Sequence, residues 1–395
     1  MIYLDNGATT FPKPEVVYQA MDTFARTGAV NAGRGAYAAA RAADQMIKNV
    51  RAGLISLMDA REQAQVVLTP SVTIALNQII YGQAWTEKSI AYVSPYEHNS
   101  VLRPLDVLSK KIGFQVLELP LAEDLSIDLA KTAAMFEENP PSFVAVTAVS
   151  NVTGYILPHR EIFRLARRYG AFNLLDGSQA VGLIRLPFAQ TMADAICFAG
   201  HKTLYGPFGI AGFLIKNSAK LQVTLAGGTG TKSEDLAMPT SLPGSMEAGS
   251  KDTVAIAGLE AALKWLPSVK PLEHECAMVA HFIEEAGKID GVELYCAPGG
   301  LQNQAGVVSF GVRGFKAIEV AAILDNKYDI AVRAGHHCAA LIHQHLGSNK
   351  YAGTVRVSPG YFNTMEDIEV LLIALRNLDR SQLEGVADDI LRGAC

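Results

Sequence analysis

No uninterrupted apolar run in this 395-residue chain reaches the about 18 residues that a bilayer-spanning helix needs, so no membrane segment is expected. The opening Met1-Ile2-Tyr3-Leu4-Asp5-Asn6 lacks a basic region followed by an apolar core, so no secretion signal is expected. Cysteine is sparse. The five (197, 276, 296, 338 and 395) are odd in number, widely spaced and without a C-x-x-C pair, which argues against a disulfide framework or a zinc site. Charge is also scarce: 18% of residues are charged and the net charge is −5, giving no basic surface for nucleic acid or an anionic membrane. Internal repeats and low-complexity tracts are absent. A reduced cytoplasm is the compartment these absences favour.

What is present is apolar sequence in short runs. Nearly half the residues are hydrophobic and 34 are glycine, ordinary for an α/β enzyme of two or three domains. Strand-like runs fall near 66–69, 89–94, 115–119, 143–149, 172–175, 194–198 and 210–216. Helical patterns lie between them near 72–82, 99–112, 128–138 and 159–169. This alternation predicts βαβ units and a mostly parallel seven-stranded sheet buried between helices. Pro14 opens a further helix, the Gly-rich stretch Thr27 to Gly35 precedes an alanine-rich one at 36–58, and another spans 252–266. Beyond Pro267 and Pro271 the pattern changes. Helices near 272–288, 316–326 and 366–378, with strands near 292–296, 306–311, 330–333 and 354–358, predict a smaller α+β domain. The expected division is 15–266 for the large domain and 267–395, with 1–14, for the small one.

Open α/β sheets bind ligands at the C-terminal ends of their strands, so the residues there matter most. Asp176, followed by Gly177-Ser178-Gln179, ends one apolar run; Gly200-His201-Lys202 ends the next. A carboxylate beside a lysine is the pairing that a pyridoxal 5′-phosphate (PLP) enzyme needs. The lysine forms the Schiff base and the acid keeps the pyridine nitrogen protonated. Thr69-Pro70-Ser71-Val72-Thr73 leads into a helix whose amino end suits a phosphate. His98 follows another strand, where it can stack on a flat ring or act catalytically by passing protons near it, and Asn151 follows a third. Each has a plainer explanation taken singly: a turn cap for Asp176, a solvated lysine, a helix cap at Thr73, a structural histidine, a turn asparagine. Their joint delivery to one rim of one sheet is what favours the chemical reading.

A second stretch, Arg333-Ala334-Gly335-His336-His337-Cys338, sets a cysteine beside cationic neighbours near a helix start, conditions that make a thiol nucleophilic. A buried structural cysteine is the alternative. A metal cluster of His336, His337, Cys338, His343 and His345 is a further one, but it matches no zinc spacing. Arg356, in a strand-like run, suits a substrate carboxylate or a surface salt bridge.

Together, Asp176-Gly177-Ser178-Gln179, Gly200-His201-Lys202, Glu247-Ala248-Gly249-Ser250, Arg333-x-Gly335-x-x-Cys338 and Val355-Arg356-x-Ser358 resemble the cysteine desulfurases. These belong to the class V aminotransferases, fold-type I PLP enzymes. The opening Tyr3 to Thr10 and Asn31-x-x-Arg34-Gly35 extend the resemblance over nearly the whole chain. The Arg-x-Gly-His-His-Cys form points to the group with a short cysteine loop, which includes selenocysteine lyases. The resemblance implies that Lys202 carries the cofactor and moves protons at the substrate Cα. It implies that Asp176 pairs with the pyridine nitrogen, Gln179 with the phenolic oxygen, and that His98 stacks on the ring. The phosphate would be held by the Val72 N–H, Thr73, His201 and, from a neighbouring subunit, Ser250. Arg356 would bind the carboxylate of L-cysteine or L-selenocysteine, with Asn151 and Arg34 nearby. Cys338 would take the sulfur as a persulfide, releasing alanine, for an acceptor protein. A homodimer is implied. Ala199 and Val72 stand where the family usually carries hydroxyls, so a phosphate would meet fewer of them. A class V aminotransferase or epimerase without desulfurase activity is the other enzyme reading, and an inactive scaffold the non-enzymatic one.

Overall fold

The computed structural model describes residues 1–32, 35–230 and 234–384. Its thirteen strands are β1 (Ile2–Tyr3), β2 (Ala64–Thr69), β3 (Ile90–Val93), β4 (Gln115–Glu118), β5 (Phe143–Thr147), β6 (Phe172–Asp176), β7 (Ala195–Ala199), β8 (Ala211–Lys216), β9 (Val292–Tyr295), β10 (Val308–Val312), β11 (Ile330–Ala331), β12 (Arg333–Gly335) and β13 (Thr354–Val357). Seven form one sheet in the order β2-β8-β7-β6-β5-β3-β4. Only β8 runs antiparallel to its neighbours β2 and β7.

Alternation along these strands fills two cores. Val67, Ala91, Val93, Phe143, Ala145, Leu174, Cys197 and Phe213 face one, shared with the helices Val72–Tyr81 and Asn99–Ile112. Val66, Leu68, Tyr92, Val144, Leu175, Ile196 and Leu214 face the other, against the helices Ala38–Leu57, His159–Ala166 and Thr253–Trp265. Burial on both faces is why these strands read as continuous apolar runs. Cys197 is a core residue by this placement. Two of the helix starts are fixed by side-chain caps that matter here: Ser71 Oγ accepts from Ile74 N, and the Asp252 carboxylate from Ala255 N.

The C-terminal third builds a four-stranded antiparallel sheet, β12-β13-β10-β9. Its core joins Phe282, Phe310, Leu324, Val355 and Leu372 to Leu4 from the amino-terminal segment. The single strand expected near 330–333 divides at Val332. β11 pairs with β1, whereas β12 pairs with β13, so the chain changes partner at that point.

Candidate active site

The ends of β2, β3, β5, β6 and β7 surround one cavity of about 260 Å³. Val72, Thr73, His98, Asn151, Asp176, Gln179, His201, Lys202, Cys338 and Arg356, all expected from the sequence, line it. Ser250 lies elsewhere in this chain, lining other cavities beside Glu247 and Lys251. Arg34 falls outside the described residues.

Asp176 is buried at the end of β6, and both hydrogen bonds to its carboxylate fall on Oδ1: Ser178 N at 2.9 Å and Ser178 Oγ at 2.5 Å. Oδ2 is left for another donor. Lys202 follows β7 after two residues. Its burial, reinforced by the Arg356 and Arg333 charges and opposed by Asp176, lowers its amine to a pKa of about 8. Gln179 Nε2 donates to Gly7 O at 2.7 Å, so one amide proton is already engaged.

His98 caps the helix Asn99–Ile112. Ser100 N donates to its Nδ1 at 3.0 Å, which places the ring proton on Nε2. Burial, and then the nearby Lys202, push its pKa down to about 4, so the ring is neutral. Ser100 Oγ lies 3.0 Å from both His98 Nδ1 and Thr73 Oγ1, coupling the ring to the start of the helix Val72–Tyr81. Directly before His98, Glu97 is fully buried; its Oε1 accepts from Ser94 Oγ at 2.6 Å and Thr147 N at 2.5 Å. Thr147 pairs with Asp176 across β5 and β6, so Glu97 braces both His98 and the aspartate strand.

The thiol arrives from the other sheet. His337 and Cys338 adopt successive left-handed conformations, φ 50° and 56°. Asn151 Nδ2 donates to His337 O at 2.7 Å, and Asn99 N to Cys338 O at 2.6 Å. Two non-glycine residues in that region are strained and need such restraint from outside the loop. The cationic neighbours expected beside the cysteine are not the adjacent histidines. His337 Nε2 bonds Thr354 Oγ1 (2.9 Å) and O (3.1 Å), and burial pushes its pKa well below the ordinary value. His343 is likewise lowered to about 4, by burial first. The charges that face this loop are Lys202, Arg333 and Arg356. The His336 and His337 rings each pack on His343, and among the described residues no three side chains converge as metal ligands.

Arg356 is almost wholly buried. Its Nη2 meets Asp5 Oδ1 at 2.5 Å, its Nη1 donates to Asn151 O at 3.2 Å, and its Nε has no partner. Arg333 is its cross-strand neighbour and also lines the cavity. Asp5, Glu97, Ser100 and Arg333 are site residues that sequence reasoning left without a role. Asp5 and Arg333 lie in stretches already singled out, but their partnership depends on distant chain segments.

These residues fit PLP. Ser71 Oγ caps only Ile74 N, so the Val72 and Thr73 amides remain free at a helix start. His201 Nδ1 is buried without a partner in the same wall, and its pKa is lowered to about 3 by burial, then by Lys202 and Lys13.

A mostly parallel seven-stranded sheet with this lysine and aspartate at adjoining strand ends defines a fold-type I PLP enzyme. The chain belongs to the class-V aminotransferase family, whose model matches residues 2–371. It is 31% identical over 379 residues to a probable cysteine desulfurase of Methanothermobacter thermautotrophicus, covering 94% of this chain and 92% of the relative. With a cysteine desulfurase of Shigella flexneri it shares 29% identity over 393 residues, 96% and 94% of the two chains. The structure resembles the apo cysteine desulfurase of Thermococcus onnurineus with TM-score 0.88 and 28% identity, covering 96% and 95% of the chains. A cysteine desulfurase of Escherichia coli gives 0.82 and 26%, covering 98% and 95%. Enzymes of this family use PLP. Among the described residues no helix is long and apolar enough to cross a membrane.

Proposed function

We propose that this protein is a PLP-dependent cysteine desulfurase, converting L-cysteine to L-alanine with a persulfide on Cys338. The observation that carries the reading is Lys202, Asp176 and Cys338 in the wall of a single cavity. When bound, PLP supplies the electron-withdrawing ring that weakens bonds at the substrate Cα and Cβ.

The chain's own residues do the rest. Asp176 Oδ2 is free to receive the pyridine N–H, and the neutral His98 ring stacks. The Val72 and Thr73 amides, Thr73 Oγ1 and His201 Nδ1 hold the phosphate. Gln179 retains one amide proton for the phenolic oxygen. Arg356, steadied by Asp5, offers Nε to the substrate carboxylate beside Asn151. Lys202, with its amine near neutrality, moves the Cα proton. Cys338 attacks the substrate sulfur: an S–S bond forms as the Cβ–S bond breaks, and the released pair stays on the carbon that becomes the alanine methyl. The same reading assigns 15–266 to cofactor binding and 267–395, with 1–14, to carrying the thiol. It also implies a cytoplasmic homodimer that brings Ser250 to the partner's cavity, with Arg34 near the substrate.

The test is sulfide and alanine release from L-cysteine with a reductant, in wild type beside Cys338→Ala and Lys202→Ala. Equal amounts of both products, lost in both variants, are expected. Full sulfide release by Cys338→Ala would overturn the proposal, and alanine formed from selenocysteine alone would make the enzyme a selenocysteine lyase.

A further inference from the structure

Cys338 stands in the wall between two cavities. The inner one holds Lys202 and Asp176; the outer, of about 390 Å³, opens between the helices Val72–Tyr81 and Asn99–Ile112. Thr73, His98 and Ser100 also belong to both walls, so the partition is one side chain thick. The outer volume falls within the about 300–1,000 Å³ usual for small-molecule sites.

Its lining is particular. Tyr81 and Val107 give it an apolar rim, exposed by 38% and 53%. Arg103 is the only formally charged residue among the described ones that line it. No ion pair or hydrogen bond engages the Arg103 side chain among the described residues, whereas the nearest acid on its helix, Asp106, is tied to Lys110 at 2.8 Å. Arg103 is therefore the one formal charge, a positive one, that the described lining presents to a ligand.

A persulfide on Cys338 has to be discharged before the next turnover. Through the inner cavity an incoming thiol would compete with alanine and cofactor for the same volume. Through the outer cavity it meets the same cysteine with the inner site still filled. We infer that the outer cavity is the binding site of the acceptor thiol, and that Arg103 selects thiols that carry an anionic group. This rests on the desulfurase reading. In the step, the acceptor thiolate R–S⁻ attacks the outer sulfur of Cys338–S–SH. A new S–S bond forms to the acceptor, the bond to Cys338 breaks, and Cys338 leaves as the thiolate, so R–S–SH forms with no net oxidation.

The experiment loads the holoenzyme with L-cysteine, removes excess substrate, and follows discharge of the Cys338 persulfide by 3-mercaptopropionate or by 2-aminoethanethiol. The alanine burst during loading is recorded separately. In Arg103→Glu the ratio of the two discharge rates, anionic over cationic thiol, is expected to fall by about tenfold at low ionic strength, with the burst unchanged. Val107→Trp, which fills the cavity, is expected to slow discharge by both thiols, again with an unchanged burst. An unchanged ratio in Arg103→Glu, or a burst that falls in step with discharge, overturns the acceptor site. No burst in wild type would overturn the desulfurase reading itself.

Discussion

Arg356 Nη2 and Asp5 Oδ1 sit 2.5 Å apart, with side chains 3% and 17% exposed, so the arginine assigned to the substrate carboxylate is itself anchored by a carboxylate. Arg333 Nη1 reaches the other oxygen of Asp5 at 3.9 Å. Asp5→Asn is expected to raise KM for L-cysteine about tenfold or more, through loss of a charge-assisted bond, with a smaller effect on kcat. Stability should fall by about 3 kcal/mol, because a buried guanidinium loses its counterion. Steady-state kinetics and thermal unfolding measure both, and an unchanged KM would remove Asp5 from the anchoring role.

Cofactor uptake should titrate. The Lys202 amine is reactive only when neutral, and burial lowers its pKa to about 8. Apoprotein is expected to take up PLP faster as the solution is raised across about pH 7 to 9, from the protonated to the neutral amine. Absorbance stopped-flow gives the profile. A rate that rises only near the pKa of a free lysine would show that the amine is not desolvated.

Two buried acids give stability its own pH dependence. Glu97 and Glu275 are each raised to about 8 from 4.5, chiefly by burial; Asp176 adds to the effect at Glu97, and the Tyr205 hydroxyl bond to Glu275 opposes it. Their folded values lie above the unfolded one, so the unfolded chain sheds protons first and stability falls as pH rises from about 4.5 to 8. Glu97→Gln with Glu275→Gln should flatten that fall, leaving Tm near that of wild type at the acid end and higher at pH 8. Parallel Tm curves for the two proteins would contradict the assignment.

Glu247 fixes the segment that carries Ser250. Its buried carboxylate takes Arg51 Nη2 at 2.6 and 2.8 Å, Lys251 Nζ at 2.9 Å and Leu68 N at 2.8 Å. Glu247→Ala strands two cations and a backbone N–H, and is expected to cost about 3 kcal/mol, the low end for a buried pair because both cations are about a quarter exposed. Glu247→Gln, which keeps an acceptor for Leu68 N, should cost less. Chemical denaturation distinguishes the two.

The sheet was legible because burial on both faces writes each strand as an apolar run, and the ends of those runs carry Asp176 and Lys202 in recognisable motifs. Cys338 was legible from its own local motif, Arg333-x-Gly335-x-x-Cys338, although it comes from the other sheet. The bracing residues were not. Glu97 reads as a polar loop residue until β3 and β5 bring Ser94 and Thr147 to its carboxylate. The neutrality of His337 follows from burial against Thr354, which no local pattern reveals. The break at Val332 depends on β1 claiming β11, a pairing between opposite ends of the sequence.

That pairing has a consequence for how the molecule is made. Leu4, Asp5 and Asn6 find their partners in β13 and the segment around Asn363, up to 357 positions away. On the ribosome the large sheet has all its strands before those partners emerge, while the segment that bears Asp5 has only its neighbours' bonds to Gln179 and His201 to settle on. Contacts of such sequence separation are slow to form. The arginine site is thus finished late, and a nascent chain with a complete large sheet still lacks the anchored guanidinium that would let it hold an amino acid.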